Sequence, residues 1–283
     1  MIRSNYHIHS NYCDGKNSLE DMVLAGINAG FISMGLSSHM SLPFKNDWTM
    51  KEDDLEKYLF ELSYLKKKYA SFIELYYGLE IDYFLDRKDI SIFSKKNMLK
   101  LDYTIMSIHS IGSTFSDKVS YIDESQDDFL RAIRKFYDNS PKKFIQNYYD
   151  GIANMVITFK PDILGHLDLI KKYNQSNAIF DDQEKWYRKS VIECLEVVKE
   201  SGIMVEINTG ANLRVPGVGR YPSDWIIPEL FKRKIPITVS GDSHSIEGIS
   251  YDFEETEAFL MDCGYKEYGM LIKGQWEMQP LGK

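Results

Sequence analysis

Short apolar runs recur along the chain, and longer amphipathic segments separate them. Seven such runs occur at residues 6–8 and in FISMGLSS, FIELYYGLE, LDYTIMSI, PDILGHL, GIMVEIN and IPITVSGD. The segments between them, such as SLEDMVLAGINAG and QEKWYRKSVIECLEVVKESG, repeat apolar residues with helical spacing. Ser18 can cap the first helix, with Asp21 in its first turn. This alternation of strands and helices predicts a sheet of parallel strands with crossover helices.

The composition is that of a globular protein with a large core. Of 283 residues, 43% are apolar and 27% are charged, and the length suits one α/β barrel domain spanning residues 1–283. No linker, low-complexity segment or internal repeat divides the chain. A net charge of −8 argues against nucleic acid as the partner. No apolar run approaches the roughly 18 residues of a membrane span, and no signal peptide is evident. We therefore expect a cytoplasmic protein that does not bind a membrane.

All the histidines lie in or at the end of an apolar run, and none lies in a helical pattern. The six residues are His7, His9, His39, His109, His166 and His244. Side chains two residues apart in an extended strand point to one face, so His7 and His9 can project together. The carboxyl ends of parallel strands form the ligand-binding face of α/β folds. We therefore expect all six imidazoles to converge on one site.

Carboxylates occur at the ends of the same runs. Glu80 ends FIELYYGLE, Asp242 ends IPITVSGD, and Asp14 follows the first run. A tetrahedral zinc takes four ligands, and a catalytic site keeps one position open, so six histidines and three carboxylates indicate two or three ions with a bridging carboxylate. Imidazoles and carboxylates suit zinc, manganese or iron. Clustered cations activate a water and neutralise an anionic substrate, and the hydrolysis of a phosphate ester requires both effects.

The cysteines do not form the pattern of a disulfide framework or of a zinc site. Cys13, Cys194 and Cys263 are odd in number, widely spaced and form no CxxC pair. Neither a disulfide framework nor a cysteine zinc site is therefore expected.

The order of the histidine motifs resembles the PHP (polymerase and histidinol phosphatase) superfamily of metal-dependent phosphoesterases. The motifs are HIH with CDG, then SSH, GLE, SIHS, GHLD and GDSH, and they span residues 7 to 244. The stretches SSHMSLPF, GLEIDY, ILGHLDLIKKY and EINTGANLRVPGVGRYPSDWI look like the histidinol-phosphatase branch. This resemblance implies an α/β fold, a distorted (β/α)7 barrel of the PHP type, with a trinuclear metal centre.

The resemblance also implies a set of metal ligands. They are His7, His9, Glu80 and Asp242 for one ion, Glu80, His109 and His166 for a second, and His39 and His244 with Asp14 or a neighbouring residue for a third. Glu80 would then bridge two ions. Many relatives have a histidine where this chain has Gly15, so Asp14 is expected to substitute for it.

The branch carries an arginine that grips phosphate, and Arg214 lies in the corresponding loop. A guanidinium suits that role because it can form bidentate hydrogen bonds. Arg220 and Lys171 are further candidates of the same kind on neighbouring loops.

Two further roles are implied within the same site. Glu206 ends the strand in VEIN and either meets a cationic group of the substrate, such as the amine or imidazole of histidinol, or accepts a structural hydrogen bond. Asp242 or His244 is expected to protonate the leaving alkoxide, with a water as the alternative.

We therefore expect a phosphomonoesterase that acts on a small phosphorylated substrate, in the first place L-histidinol phosphate in histidine biosynthesis. One alternative is a PHP enzyme for another small ester, such as a nucleotide or phosphotyrosine. A second is an amidohydrolase, which also opens with HxH but usually has a carboxylated lysine where this chain has Glu80. A third is a barrel that binds metal without catalysis. The sequence leaves the metal and the oligomeric state open.

Overall fold

The computed structural model describes residues 1–115 and 119–282. Within these residues, seven parallel strands form the main sheet. They are β1 (Ser4–Asn5), β2 (Ser33–Leu36), β3 (Glu74–Phe84), β4 (Tyr103–Ser107), β5 (Ile163–Leu164), β6 (Met204–Asn208) and β7 (Ile237–Ser240). Each strand pairs with the next one along this series. Six of the predicted apolar runs overlap a strand, and the first run directly follows β1.

The sheet closes between its first and last strands. Ile8 and Ser243 form a parallel bridge, and Ser243 N–H donates a hydrogen bond to the carbonyl oxygen of His7 at 2.9 Å. The N–H of His9 donates to the carbonyl oxygen of Ser243 at 2.9 Å. The predicted distorted (β/α)7 barrel is thus confirmed. Its seam lies beside two of the histidines.

Helices connect the strands. In the described part of the chain they are α1 (Leu19–Asn28), α2 (Leu55–Lys68), α3 (Ile92–Asn97), α4 (Gln126–Phe136), α5 (Pro141–Phe159), α6 (Lys185–Ser201), α7 (Ala211–Arg214), α8 (Ile226–Lys232) and α9 (Phe253–Asp262). Helix α1 begins at the predicted cap, where the Ser18 hydroxyl accepts a hydrogen bond from Asp21 N–H at 3.1 Å. Asp21 in turn accepts one from Ser18 N–H at 3.2 Å. Such a cap stabilises a helix by about 1 kcal/mol.

Shorter strand pairs flank the barrel. Asp89–Ile90 pairs with β3, and Ser110–Ile111 pairs with Ser120–Tyr121. A C-terminal hairpin, Glu267–Ile272 with Gln275–Pro280, was not anticipated from the sequence. It packs on the barrel, because Leu271 N–H donates to the hydroxyl of Tyr6 at 2.7 Å. Among residues 1–115 and 119–282, no helix has both the length and the apolar character needed to cross a membrane.

Candidate metal centre

The six histidines converge at the carboxyl ends of the barrel strands. His7 and His9 follow β1, and His39, His109, His166 and His244 follow β2, β4, β5 and β7. The ring centroids of His9 and His244 are 4.0 Å apart, and those of His9 and His39 are 4.3 Å apart. The rings of His109 and His166 are separated by 4.9 Å. The fold thus brings together side chains that are spread over most of the sequence.

Glu80 lies among the histidines and is almost completely buried. Its Oε1 atom lies 2.9 Å from His166 Nε2 and 3.5 Å from His109 Nε2. Its Oε2 atom lies 2.8 Å from His39 Nδ1 and 3.2 Å from His7 Nε2. Because the two oxygens face different imidazoles, this carboxylate has the geometry of a bridge between two ions.

Three overlapping groups of described residues can each hold a metal ion. The groups are His7, His9 and Asp242; His39, Glu80 and His109; and His9, Asp14, His39 and His244. Within each group the ligand atoms lie within 4.8 Å of one another. All three groups differ from the expected sets: Glu80 is absent from the first, His39 takes the place of His166 in the second, and His9 joins the third. His166 approaches the second group through its contact with Glu80.

Several buried atoms of the cluster lie close to one another but have no hydrogen-bond partner with suitable geometry. Among the described residues these include Nε2 of His7, Nε2 of His9, Nδ1 of His39 and Oε2 of Glu80. A buried polar atom without a partner costs about 1–3 kcal/mol, so native proteins contain few of them. Metal ions would satisfy all these atoms at once. The residues therefore fit a multinuclear centre of zinc, manganese or iron.

Burial and neighbouring charges set the protonation of the cluster. Burial alone would raise the pKa of Glu80, but the surrounding imidazoles, that of His7 first, hold it well below its usual range. Burial alone would lower the pKa of His7, but the carboxylates of Glu206 and Glu80 outweigh burial and raise it well above its usual value. For His9, burial and the imidazole of His244 both lower the pKa. The central carboxylate is therefore ionised at neutral pH and attracts cations.

Asp14 reaches the cluster from the loop after β1. Its Oδ2 atom lies 3.2 Å from His244 Nε2, and its Oδ1 atom lies 3.8 Å from His39 Nε2. The adjacent Gly15 has no room for a side chain, because a Cβ atom there would lie 2.5 Å from the backbone nitrogen of Ser10. The loop of this chain therefore presents Asp14, and not residue 15, to the third group.

Glu206 lies behind the ligands rather than in the cavity. Its Oε1 atom lies 2.6 Å from His7 Nδ1 and accepts a hydrogen bond from Ser240 at 2.6 Å. Its Oε2 atom accepts hydrogen bonds from His166 N–H and from the side chain of Asn208. The expected contact with a cationic substrate group is incompatible with this position, because protein donors occupy both oxygens. The other prediction for Glu206, a structural acceptor, agrees with these contacts.

Asp82 is a second carboxylate of this kind, and the sequence interpretation missed it. Its Oδ1 atom lies 2.9 Å from His109 Nδ1, and the residue is buried. Asp82 follows Glu80 by two residues in β3, and side chains at that spacing share one face of a strand. This spacing, which had identified the pair His7 and His9, was the signal that could have identified Asp82.

Arg214 at the end of α7 pairs with Asp242 next to the ligands. Its guanidinium donates hydrogen bonds to Oδ2 and to the backbone carbonyl oxygen of Asp242. Burial alone would raise the pKa of Asp242, but Arg214 and His7 hold it well below its usual range. Asp242 is therefore ionised at neutral pH and better suited to binding a cation than to donating a proton. His244, the other expected catalytic residue, lines the same cavity as Arg214.

A cavity of about 570 Å³ adjoins the cluster. Among the described residues in its wall are Trp48, Tyr121, Asp123, Lys172 and Arg214. The ring of Trp48 lies 4.6 Å from that of His39 and 5.5 Å from that of Tyr121. A small ester thus has an aromatic wall, the metal ligands and the cationic side chains of Lys45, Lys172 and Arg214 within one cavity.

The other two basic residues suggested by the sequence face elsewhere. Lys171 Nζ donates to the carbonyl oxygen of Arg220 at 2.6 Å, and the Arg220 guanidinium lies over the ring of Phe259. Neither is among the described residues that line the cavity. Lys172 lines it instead, and its Nζ donates to the carbonyl oxygen of Asp123 at 2.8 Å. The turn Leu169–Lys171 is too short to show an apolar periodicity. The sequence therefore does not indicate whether Lys171 or the following Lys172 faces the cavity.

Known proteins share this sequence pattern and this fold. The chain is 27% identical to the histidinol-phosphatase of Bacillus subtilis (strain 168) over 273 residues, which cover 93% of this chain and 100% of that protein. A Listeria monocytogenes structure assigned as a histidinol phosphatase has a TM-score of 0.79 at 23% identity and covers 89% of this chain and 99% of its own. The histidinol phosphate phosphatase of Lactococcus lactis, solved with zinc, L-histidinol and phosphate, has a TM-score of 0.70 at 18% identity, with 97% and 98% covered. Both structures show the same barrel fold. Residues 5–210 match the family model of the PHP domain, and the chain therefore belongs to the PHP domain family.

Proposed function

We propose that the protein is a metal-dependent phosphomonoesterase that hydrolyses L-histidinol phosphate to L-histidinol and phosphate. The observation that carries this proposal is the cluster of histidines and carboxylates beside a cavity that also contains Arg214. The histidinol-phosphatase of Bacillus subtilis, which is matched over its full length, supports the choice of substrate. The Lactococcus lactis protein of the same fold, with zinc, L-histidinol and phosphate, is consistent with it.

Two or three divalent ions of zinc, manganese or iron would be held by the three ligand groups. When bound, such ions lower the pKa of a water molecule and offset the charge of a phosphate ester. Glu80 would be shared between ions, because its Oε1 atom faces the imidazoles of His109 and His166 and its Oε2 atom faces those of His7, His9 and His39. Asp242 would contribute Oδ1, which lies 3.2 Å from His9 Nε2 and 3.6 Å from His7 Nε2.

Arg214 would bind the phosphoryl group. A guanidinium has five N–H donors, so Arg214 can hold Asp242 and still offer donors to phosphoryl oxygens in the cavity. As water oxygen bonds to phosphorus, the bond from phosphorus to the histidinol oxygen breaks, and the leaving alkoxide takes up a proton. Because Asp242 is held ionised, His244 or a water would supply that proton.

The reaction would serve histidine biosynthesis in the cytoplasm. A cavity of about 570 Å³ accommodates a small ester, and a net charge of −8 disfavours nucleic acid. Glu80 occupies the position where an amidohydrolase usually has a carboxylated lysine. This residue and the PHP family assignment together argue against that alternative.

A screen of phosphate esters on protein loaded with manganese or zinc tests the proposal. We expect kcat/KM for histidinol phosphate to exceed that for p-nitrophenyl phosphate by orders of magnitude, because binding of the remote end helps to position the phosphorus. Equal values would reject histidinol phosphate as the substrate and leave another ester, such as a nucleotide or phosphotyrosine. If the loaded protein hydrolyses none of the esters, it is a metal-binding barrel without catalysis.

A further inference from the structure

The carboxylate of Glu206 has four hydrogen-bonding neighbours, although the residue is fully buried. Its Oε1 atom lies 2.6 Å from His7 Nδ1 and 2.6 Å from the hydroxyl of Ser240. Its Oε2 atom lies 2.7 Å from the backbone nitrogen of His166 and 3.2 Å from the side-chain nitrogen of Asn208. These neighbours belong to β6 and β7 or follow β1 and β5, so one side chain joins four of the seven strands.

These contacts determine which nitrogen of His7 carries the proton. An ionised carboxylate can accept hydrogen bonds from all four neighbours, because it has about four acceptor positions and no donor. With Glu206 as acceptor, Nδ1 of His7 keeps its proton, so Nε2 is the nitrogen that can give up its proton and offer a lone pair to a metal ion. Within residues 1–115 and 119–282 that Nε2 atom has no hydrogen-bond partner, and it lies 3.2 Å from Glu80 Oε2 and 3.6 Å from Asp242 Oδ1.

Asp82 provides an internal comparison, because it contacts His109 in the same way. Its Oδ1 atom lies 2.9 Å from His109 Nδ1, but its buried Oδ2 atom has no hydrogen-bond partner among the described residues. An amide at position 82 can therefore keep its oxygen toward His109 and place its NH2 group where no donor opposes it. An amide at position 206 must direct its NH2 group toward two of the four donors.

We propose that Glu206 is a positioning residue that holds His7 in the Nδ1-protonated form and thereby keeps Nε2 directed at the metal group of His7, His9 and Asp242. This inference rests on the metal centre of the proposed function. Outer partners of this kind typically change metal affinity by about 10–100-fold. The structure assigns this role to Glu206 more strongly than the equivalent role to Asp82, because Glu206 is saturated with donors and Asp82 is not.

Retention of zinc against a chelator tests the proposal without using catalysis. Wild type, Glu206→Gln, Asp82→Asn and Ser240→Ala are loaded with zinc and equilibrated with graded EDTA, and the ions per chain are measured by elemental analysis. We expect Glu206→Gln to lose one ion at a chelator concentration roughly 10–100-fold below that for wild type. Asp82→Asn should remain close to wild type. Ser240→Ala removes one donor to Glu206 but leaves its contact with His7, so this variant should also retain zinc about as well as wild type.

The outcomes separate this inference from the proposed function. If wild type retains zinc and hydrolyses histidinol phosphate, but Glu206→Gln retains zinc equally well, the role of Glu206 is overturned while the proposed function stands. The role of Glu206 is likewise overturned if Asp82→Asn loses its ion as readily as Glu206→Gln. If wild type holds no ion, both the metal centre and the role of Glu206 are rejected.

If Glu206→Gln does not fold, the protonation of His7 can still be measured in the wild-type protein. Long-range 1H–15N spectra of the zinc-loaded protein show which nitrogen of each histidine carries a proton. The signals of His7 are identified by their loss in His7→Gln. A proton on Nδ1 of His7 supports the proposal, and a proton on Nε2 contradicts it.

Discussion

Nη2 of Arg214 lies 2.5 Å from Oδ2 of Asp242, and the other oxygen of Asp242 lies 3.2 Å from His9 Nε2. One carboxylate thus faces the arginine with one oxygen and a metal group with the other. A buried carboxylate needs such partners, because an unpaired buried charge is strongly destabilising. Arg214 therefore lines the cavity and also holds a metal-binding carboxylate in place.

We expect Arg214→Ala to lower kcat/KM for histidinol phosphate and for p-nitrophenyl phosphate alike, since both substrates carry the phosphoryl group. The loss should be roughly 100-fold or more, as for other positioned donors to a reacting centre. Arg214→Lys should restore only part of it, because an ammonium lacks the planar fork. Arg134→Ala, at an exposed position on α4, serves as the matched control. A loss confined to histidinol phosphate would place Arg214 at the other end of the substrate.

Elemental analysis of protein purified without chelator should give more than one transition-metal ion per chain. Glu80→Ala should lose more than one ion, because its oxygens face five histidines, which include members of the first group and of the second. Asp14→Ala should lose at most one, since the imidazoles next to Asp14, those of His9, His39 and His244, all belong to the third group. A wild-type content of one ion or fewer, together with full activity in strong chelator, would contradict the multinuclear centre.

The inner residues of the site could be predicted because each one ends an apolar run. His109 and His166 are distant in sequence, yet the rule that parallel strands present their carboxyl ends on one face was enough to bring them together. Glu80 followed from the same rule. The grouping was harder to predict, because His39 and His166 both contact Glu80 and only interatomic distances distinguish which of them could share an ion with Glu80 and His109.

The roles of the residues around the ligands could not be predicted from the sequence, because each role depends on where the side chain points and on which groups it contacts. Glu206 lies within β6, on the strand that precedes the site, but its carboxylate points at the back of His7. Lys171 and Lys172 differ only in the direction that a short turn gives to each side chain. The C-terminal hairpin Glu267–Ile272 with Gln275–Pro280 packs on the barrel without adding a strand to it, so the βα alternation did not predict it.

Gly15→Ala should disturb the loop that carries Asp14. The added Cβ atom would lie 2.5 Å from the backbone nitrogen of Ser10, and backbone cannot yield as a flexible side chain does. We expect a loss of about 1–3 kcal/mol in the free energy of unfolding and weaker retention of one ion. Gly248→Ala is the control, because its Cβ would meet only ordinary contacts at 3.6 Å. Equal denaturation midpoints for the two variants would show that the loop can relax.

The carboxylate of Asp123 lines the cavity, whereas that of Glu206 does not. It lines the cavity, its side chain is 32% exposed, and its Oδ2 atom lies 3.4 Å from Lys172 Nζ. Burial alone would raise the pKa of Asp123, but Lys172 and His109 outweigh burial and lower it. An ionised group is therefore available there for the amine or imidazole of histidinol.

We expect Asp123→Asn to lower kcat/KM for histidinol phosphate by roughly tenfold, the usual effect of losing one hydrogen bond to a charged group. The rate for p-nitrophenyl phosphate, which has no cationic end, should change little, so the preference between the two substrates narrows. Inhibition by the product histidinol should weaken in parallel, while inhibition by phosphate stays as in wild type. Asp127→Asn, an exposed carboxylate in the first turn of α4, is the control. If Asp123→Asn lowers both rates equally, its effect passes through Lys172 to the phosphoryl group, and Asp123 does not recognise the cationic end.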